Sequence, residues 1–410
     1  MAEYNTKRPA STLDLSKIET PSFVIEEALL RHNLDVLRYV KEKTGCKMYQ
    51  ALKTWATWQL FPVVREYLDG TEVSSINEAR LGYEEFNHHV HMYAPAYKEE
   101  EFDEVLKYCS TIIFNSFEQW RTFKPRVFAY TKETGKAIEC GLRVNPEYLP
   151  HDDSGGLWSP GSPGSRLGTR LSELEAALKA DPNALDGIDG LHFHMFWDRT
   201  FTELKEAVAI IEKSFGTYLP KMKWVNFGGG QMITNDDYDV EGLIALLNRI
   251  QETYGVAIHL EPGAAIVKDA GVLVASVLDI VEHDNAPYKI AILDMSFNAH
   301  TPDFLLFPDL DMPVRDAKIV RDEKEFGQHT NLYRLAGGTC VTGDQLSHFH
   351  SFKNSLKVGD TVVMEDAIQY NLVQCTMFNG VQHPNIVLWK DDKAVTIRTF
   401  TYADYKARVG

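Results

Sequence analysis

Several short stretches of the 410-residue chain hold residue types that could do chemistry. In Tyr49-Gln50-Ala51-Leu52-Lys53-Thr54-Trp55-Ala56 one lysine stands among apolar and small polar neighbours. Desolvation lowers the pKa of an ammonium, and a lysine able to lose its proton near neutral pH suits Schiff-base chemistry. Snorkelling lysines are also common beside apolar residues, so Lys53 gains meaning only alongside motifs later in the chain. Gly228-Gly229-Gly230 comes after the apolar run Trp224–Phe227. Amides without Cβ atoms can approach an anion closely, and a plain turn is the alternative reading. Glu261-Pro262-Gly263 closes another run, and a carboxylate there can accept a hydrogen bond from a protonated heteroaromatic nitrogen. His192 and His194 flank Phe193 and share one face if the strand runs through them. An imidazole can stack on a flat ring or relay protons. At least one of the pair is expected to be structural, and His194 is the functional candidate because it lies nearer the strand's C-terminal end. Gly337 to Asp344 sets Cys340 and Asp344 in one glycine-rich loop, a proton donor beside an anchor for a cation, against the alternative of an inert buried thiol. Glu365-Asp366 precedes Tyr370, and Phe378-Asn379-Gly380 reads as a tight turn.

The elements that must position these groups alternate. Strands are expected at Ser22–Ile25, Cys46–Ala51, Thr71–Ser75, His91–Ala94, Thr111–Phe114, Glu139–Val144, Gly187–His194, Trp224–Phe227 and Val256–Leu260, with helical spacing between most of them. An alternation of about 240 residues with polar groups at strand C-terminal ends predicts an α/β fold, a (β/α)8 barrel, over an open doubly wound sheet. After Gly263 the pattern changes to strands with few helices: Val272–Val281, Lys289–Leu293, Thr361–Glu365, Thr376–Phe378, Asn385–Leu388 and Ala394–Thr399. The expected organisation is an N-terminal arm over 1–20, a barrel over 21–265 and a C-terminal, mostly antiparallel β domain over 266–410. Asn145 to Arg166, rich in Gly, Pro and Ser, is expected to be a functional or mobile loop.

Composition narrows the partners. The net charge of −16 argues against nucleic acid and is compatible with a cationic substrate, or with solubility alone. No apolar run reaches the roughly 18 residues of a membrane span, and the polar start, Met1 to Leu13, does not read as a secretory signal. The five cysteines are scattered and show no zinc spacing. A cytoplasmic protein with reduced thiols and no metal is expected.

The motif set resembles the pyridoxal-phosphate-dependent decarboxylases of the alanine racemase-like fold, which include ornithine, arginine and diaminopimelate decarboxylases. Ala51-Leu52-Lys53, Ser165-Arg166-Leu167-Gly168, Phe193-His194, Gly228-Gly229-Gly230, Glu261-Pro262-Gly263, Gly338-Thr339-Cys340 with Asp344, and Tyr370 with Phe378-Asn379-Gly380 occur in that family's order from about Pro21 onward. Within it, Ser74 to Gly82, Ser162 to Gly168, Ile233-Thr234, Asp237 to Val240, Asp294 to Asp303 and Thr376 to Gly380 are similar to the enzymes that act on carboxylated polyamines. The resemblance implies that Lys53 holds the cofactor covalently, His194 stacks on its ring and Gly228, Gly229 and Gly230 hold its phosphate. It implies that Glu261 keeps the ring nitrogen protonated. It further implies a homodimer with shared sites, in which Cys340 donates the proton that replaces CO2, Asp344 holds a substrate ammonium and Tyr370 touches the phosphate. Asp303, Asp344 and Asp366 are the candidate acids for the cationic amino-acid substrate.

Several positions depart from the family pattern. Val341 stands where ornithine-type enzymes carry an acid, which argues against ornithine. Ala264 replaces their arginine and the polyamine group's usual glutamate. Met195-Phe196-Trp197-Asp198-Arg199 replaces a small polar segment, and Thr54-Trp55-Ala56 follows the lysine. These changes leave other basic amino acids, such as arginine, lysine, diaminopimelate or a carboxyaminopropyl derivative, as alternative substrates. A racemase needs a second base opposite the lysine, and the Cys340 loop resembles the decarboxylase arrangement instead. A non-catalytic relative would have no need of Lys53, His194, Glu261, Cys340 and Asp344 together.

Overall fold

The computed structural model describes residues 7–151, 159–162 and 164–410. They form two compact units, one of Leu34–Ile266 and one of Lys7–Asn33 with Val267–Gly410. The expected loop from Asn145 to Arg166 lies partly outside the described residues, as does the start of the expected arm.

The first strand, β1 (Ser22–Glu26), is not part of the barrel. The barrel strands are β2 (Lys47–Ala51), β3 (Gly70–Val73), β4 (Val90–Tyr93), β5 (Thr111–Phe114) and β6 (Glu139–Asn145), which is flanked by the two-residue β7 (Thr169–Arg170). They continue with β8 (Gly190–His192), β9 (Trp224–Asn226) and β10 (Ala257–Leu260). All neighbours are parallel, in the order β5-β4-β3-β2-β10-β9-β8-β6, and pairing of β5 with β6 closes the ring. Setting β7 apart leaves the eight strands of a (β/α)8 barrel.

Local sequence explains the helices between them. Phe201–Phe215 begins at a capping box in which the Thr200 N–H donates to Glu203 at 3.1 Å. Its buried residues Leu204, Ala207, Val208, Ile211 and Phe215 fall at helical spacing along one stripe. Val240–Tyr254 is capped by Asp239, which accepts from the Gly242 N–H at 2.8 Å, and it stops at Gly255, whose φ of +67° a side chain would resist.

The strands' period of two sorts the barrel interior into layers. Tyr49 on β2, His91 on β4, Trp224 on β9 and His259 on β10 form an aromatic floor. Tyr49 stacks on His91 with ring centroids 3.8 Å apart, and Trp224 stacks on His259 at 5.1 Å. Gly141 and Gly190 face the Trp224 ring, and a Cβ on either would approach it to under 3.0 Å. Burial holds His91 well below the usual imidazole range and brings His259 down to about 3, so the floor is uncharged near neutral pH. Two residues further along the same strands come Tyr93, Arg143, His192, Asn226 and Glu261.

In the second unit β11 (Gly271–Val281), β12 (Lys289–Leu293), β13 (Ala317–Val320), β14 (Leu332–Ala336), β15 (Phe349–Phe352), β16 (Thr361–Met364), β17 (Asn385–Lys390) and β18 (Lys393–Arg398) form a sheet with β1. Among the described residues β1–β17 and β12–β14 are the parallel pairs and the other pairings are antiparallel, as expected of a mostly antiparallel domain.

Four details differ from the sequence reading. Ser22–Glu26 pairs with β11 and β17 rather than opening the barrel, because hydrophobic periodicity reveals a strand but not its partner. The described part of the expected arm is packed: Leu13, Leu15 and Ile18 lie against the buried cluster of Val24, Val272, Val274, Val363, Val387 and Trp389. Thr376–Phe378 is not a strand. β13, β14 and β15, short and interrupted by polar residues, were not expected.

Candidate active site

The polar groups of the barrel gather where β2, β3, β6, β8, β9 and β10 end. Lys53 lies two residues beyond β2, and its Nζ donates to Glu72 Oε2 at 2.6 Å. Glu72 is fully buried on β3, and burial pushes its carboxyl up to about 7 against the pull of Lys53 and with a further push from Glu261. The lysine therefore sits about a third exposed beside a buried carboxyl that can take up its proton.

Glu261 is 1% exposed. Its Oε1 accepts from Asn226 Nδ2 at 2.7 Å, and its Oε2 lies 3.1 Å from His192 Nε2 and 3.7 Å from His194 Nδ1. Burial alone would raise this carboxyl. Hydrogen bonds, that from His192 among them, and the Lys53 charge outweigh burial and hold it well below the usual carboxylate range. His194 is brought down to about 3, chiefly by burial. Its Nδ1 accepts from the Gly229 N–H at 3.1 Å, which leaves its one ring proton on Nε2. The result is an ionised carboxylate among neutral imidazoles.

The triple glycine is built against these groups. A Cβ on Gly228 would strike His194, one on Gly229 the Glu261 carbonyl oxygen and one on Gly230 the Phe196 carbonyl oxygen, each at under 3.0 Å. The Gly228 N–H donates to Asn226 Oδ1 at 2.8 Å and the Gly229 N–H to His194. Two of the three amides expected to hold phosphate thus already have partners inside the barrel. The Met195–Arg199 segment braces the loop. Met195 and Phe196 are buried, Trp197 is exposed, and the Arg199 N–H donates to the Gly230 carbonyl at 2.9 Å. Ala264 begins the short helix Ala264–Val267.

Sequence reasoning missed Glu72, Arg143 and Asn226 and gave His192 no role. Arg143, 5% exposed, donates to the His194 carbonyl at 2.8 Å and lies 4.4 Å from the centre of the Tyr93 ring. All four are polar residues at the C-terminal ends of strands, a signal that was present in the sequence and was applied only to residues with familiar motifs.

The second unit holds the remaining candidates. Cys340 is exposed, and Asn379 Nδ2 donates to its Sγ at 3.1 Å. Tyr370 adopts φ of +56° just before the short helix Asn371–Gln374. Asp344 is buried with a full set of donors: Ser296 Oγ at 3.1 Å, the Asn298 N–H at 2.9 Å, the Thr339 N–H at 3.0 Å and Thr339 Oγ1 at 2.6 Å. This corrects its expected role, since a carboxylate so occupied shapes the Cys340 loop and has little capacity left for a substrate ammonium. Asp366 is likewise engaged, by Lys268 Nζ at 2.7 Å, the Asp269 N–H at 2.8 Å and Gln369 Nε2 at 2.7 Å. Asp303 is half-buried, and burial raises its carboxyl against a hydrogen bond from Gln374. No lysine or arginine among the described residues lies within ion-pair distance of it.

A half-buried lysine, a buried anion and an imidazole beside a loop without Cβ atoms fit a flat, anionic carbonyl cofactor. His192, His194 and Glu261 also bring their ligand atoms within 4.8 Å of one another, a spacing a cation could share. The family decides for the organic group. Residues 23–368 match the family described as pyridoxal-dependent decarboxylase, C-terminal sheet domain, and the chain belongs to that family of pyridoxal-phosphate enzymes.

Its relatives are more particular. The chain is 38% identical over 400 residues to carboxynorspermidine/carboxyspermidine decarboxylase of Campylobacter jejuni, covering 96% of this chain and 99% of that one. It is 37% identical over 398 residues to carboxyaminopropylagmatine decarboxylase of Synechocystis, covering 97% of each. The crystal structure of carboxynorspermidine decarboxylase from Campylobacter jejuni complexed with norspermidine matches with a TM-score of 0.82 at 37% identity, over 95% of this chain and 100% of that one.

Proposed function

We propose that this enzyme decarboxylates a carboxylated polyamine, of the carboxynorspermidine or carboxyspermidine kind, to the polyamine and CO2. The observation that carries the reading is the near-full-length likeness to enzymes of that name, joined to a barrel site whose Lys53, His194 and Glu261 suit the family's cofactor. The acidic net charge of −16 favours a polycationic substrate. A carboxyaminopropyl derivative of agmatine is the second reading, favoured by an identity of 37% to the enzyme that bears that name, nearly the 38% of the first.

When bound, pyridoxal phosphate supplies an electron sink for the charge left at Cα as CO2 departs. Lys53 holds the cofactor, with Glu72 as the partner that accepts its proton. Glu261, an anion, would hold the ring nitrogen, and Asn226 keeps it oriented. His194, its backbone tied by Arg143, would pack against the ring. Gly228, Gly229 and Gly230 leave room for the phosphate. Cys340 delivers a proton to Cα, positioned by Asn379 and by the loop that Asp344 pins. Asp303 is the acid best suited to the substrate's cationic tail, because Asp344 and Asp366 are already engaged.

The working form in this proposal is a cytoplasmic homodimer in which Cys340 and Tyr370 of one copy complete the site that contains Lys53 of the other. An exposed Cys340 suits a reducing compartment.

The test is CO2 release from a panel of carboxynorspermidine, carboxyspermidine, carboxyaminopropylagmatine, diaminopimelate, arginine, lysine and ornithine. The carboxylated polyamines should give the highest kcat/KM. Preference for the agmatine derivative would establish the second reading, and turnover of none of the three would sink both. For the dimer, mixing inactive Lys53→Ala and Cys340→Ala proteins should restore about a quarter of wild-type activity, from one intact site in half of the dimers. No recovery after subunit exchange would refute shared sites.

A further inference from the structure

Glu261 has a second imidazole neighbour that the proposed mechanism leaves without a task. His192 is 1% exposed, its Nε2 lies 3.1 Å from Glu261 Oε2, and its Nδ1 is buried without a hydrogen-bond partner. Together these facts fix the tautomer. Donation to an ionised carboxylate requires the proton on Nε2. A second proton on Nδ1 would be desolvated and unbonded, which such surroundings disfavour. The groups facing the ring oppose that proton too. Tyr93 and His194 are uncharged rings with centroids 5.6 and 6.1 Å away, while the Arg143 and Lys53 cations repel a positive imidazole. Glu261 is the one facing group that would favour a charged ring, and burial outweighs it. His192 is therefore a donor that stays neutral.

A neutral donor does something a charged one cannot. An imidazolium would cancel the Glu261 charge before the cofactor's ring nitrogen could use it. A neutral Nε2–H lowers the proton affinity of the carboxylate and leaves its charge in place. Asn226 does the same at Oε1 from the other side, at 2.7 Å. A carboxylate has about four lone-pair positions, so two remain for the cofactor.

We propose that His192 is a positioning residue for the pyridine nitrogen: a permanently neutral donor that holds Glu261 as an oriented anion, so that the ring nitrogen and not the carboxyl keeps the shared proton. This role rests on the cofactor and is independent of which amine is the substrate.

The test uses holoenzyme loaded with pyridoxal phosphate carrying 15N in the ring, followed by NMR between pH 6 and 9 without substrate. Wild-type protein should show a protonated ring nitrogen throughout. His192→Phe keeps a flat ring but has no donor, and the shared proton should move toward the carboxyl about ten- to a hundredfold at every pH, carrying the nitrogen signal toward its unprotonated value, the size expected for one lost charge-assisted hydrogen bond. His192→Gln offers an amide donor and should restore most of the wild-type behaviour, with turnover following the same order. An unchanged ring-nitrogen signal in His192→Phe would overturn the proposal, as would His192→Gln behaving like His192→Phe. A wild-type ring nitrogen that is unprotonated at pH 7 would overturn it with no variant at all, so failure of a variant to fold leaves the question decidable. Because no substrate is present, none of these results depends on the outcome of the substrate panel.

Discussion

Replacing Gly190 by alanine tests whether the aromatic floor of the barrel sets the geometry of the site above it. The new Cβ would come within 3.0 Å of three atoms of the Trp224 ring, Cδ2, Cε3 and Cε2. Carbon atoms pack comfortably at about 3.5–4.0 Å, so the ring would have to withdraw by about 1.5 Å. It has little room to do so. Trp224 is 2% exposed, stacks on His259 with centroids 5.1 Å apart and packs with Tyr93 and Ile113 in one buried cluster. Overpacking of this kind costs about 1–3 kcal/mol. Alanine recovers about 0.4–1 kcal/mol by restricting the unfolded chain, because Gly190 does not need a left-handed backbone. The net loss is about 1–2 kcal/mol, a fall in melting temperature of about 2–8 °C for a unit of this size. Activity should suffer more. Asn226 lies two residues beyond Trp224 and His192 two beyond Gly190, and both hold Glu261. A displacement of about an ångström at a catalytic group can cost about a hundredfold in rate. The measurements are thermal melting of the holoenzyme and kcat at saturating substrate, with Gly327→Ala as control because a Cβ there meets nothing within 4 Å. Melting within a degree of wild type together with an unchanged kcat would show that the floor has slack and does not set the site.

Three further outcomes rest on individual contacts. Glu72 has a folded-state pKa raised to about 7 from 4.5, so folded apoprotein binds more protons than unfolded chain between those values and loses stability as pH rises through that window. Glu72→Gln should flatten the melting temperature of apoprotein from pH 5 to 7, and an unchanged slope would refute the assignment. Asp344→Asn should lower kcat about tenfold with cofactor absorbance unchanged, since one amide hydrogen would face the donors that now pin the Cys340 loop. A rise in KM at constant kcat would instead return Asp344 to the substrate. Asp366→Asn, weakening the contact with Lys268 at 2.7 Å, should cost about 1–2 kcal/mol in denaturant unfolding and leave KM alone.

How much was legible in the sequence depends on the range of each interaction. Alternation of strands and helices is local, and it gave eight of the barrel strands with a ninth, Ser22–Ile25, added in error. That strand has the same apolar run as the others, and its partners β11 and β17 lie some 250 and 360 positions away, beyond the reach of any window. Lys53, His194, Glu261 and Cys340 could be named as candidates because their short motifs occur together and in one order, and the structure brings the first three to one end of the barrel. Glu72, Arg143 and Asn226 have no such motif, and their importance lies in what they touch. Asp344 and Asp366 show the reverse error. A carboxylate looks available in a sequence until its donors are known, and for Asp344 three of the four come from Ser296, Asn298 and the Thr339 backbone, groups that carry no signal of their own.

The period of two along the strands connects what was legible to what was not. His91 and Tyr93, Gly141 and Arg143, Gly190 and His192, Trp224 and Asn226, and His259 and Glu261 are each a packing residue followed two positions later by a polar one. The same backbone direction that sends the first member into the floor sends the second into the layer above it. A strand therefore cannot adjust its packing residue without moving its chemical one, and the two glycines beneath Trp224 are as much a part of the site as the polar residues that line it. Fold and function in this barrel are constrained by the same register, which is why a single methyl group on Gly190 should be read more strongly in turnover than in stability.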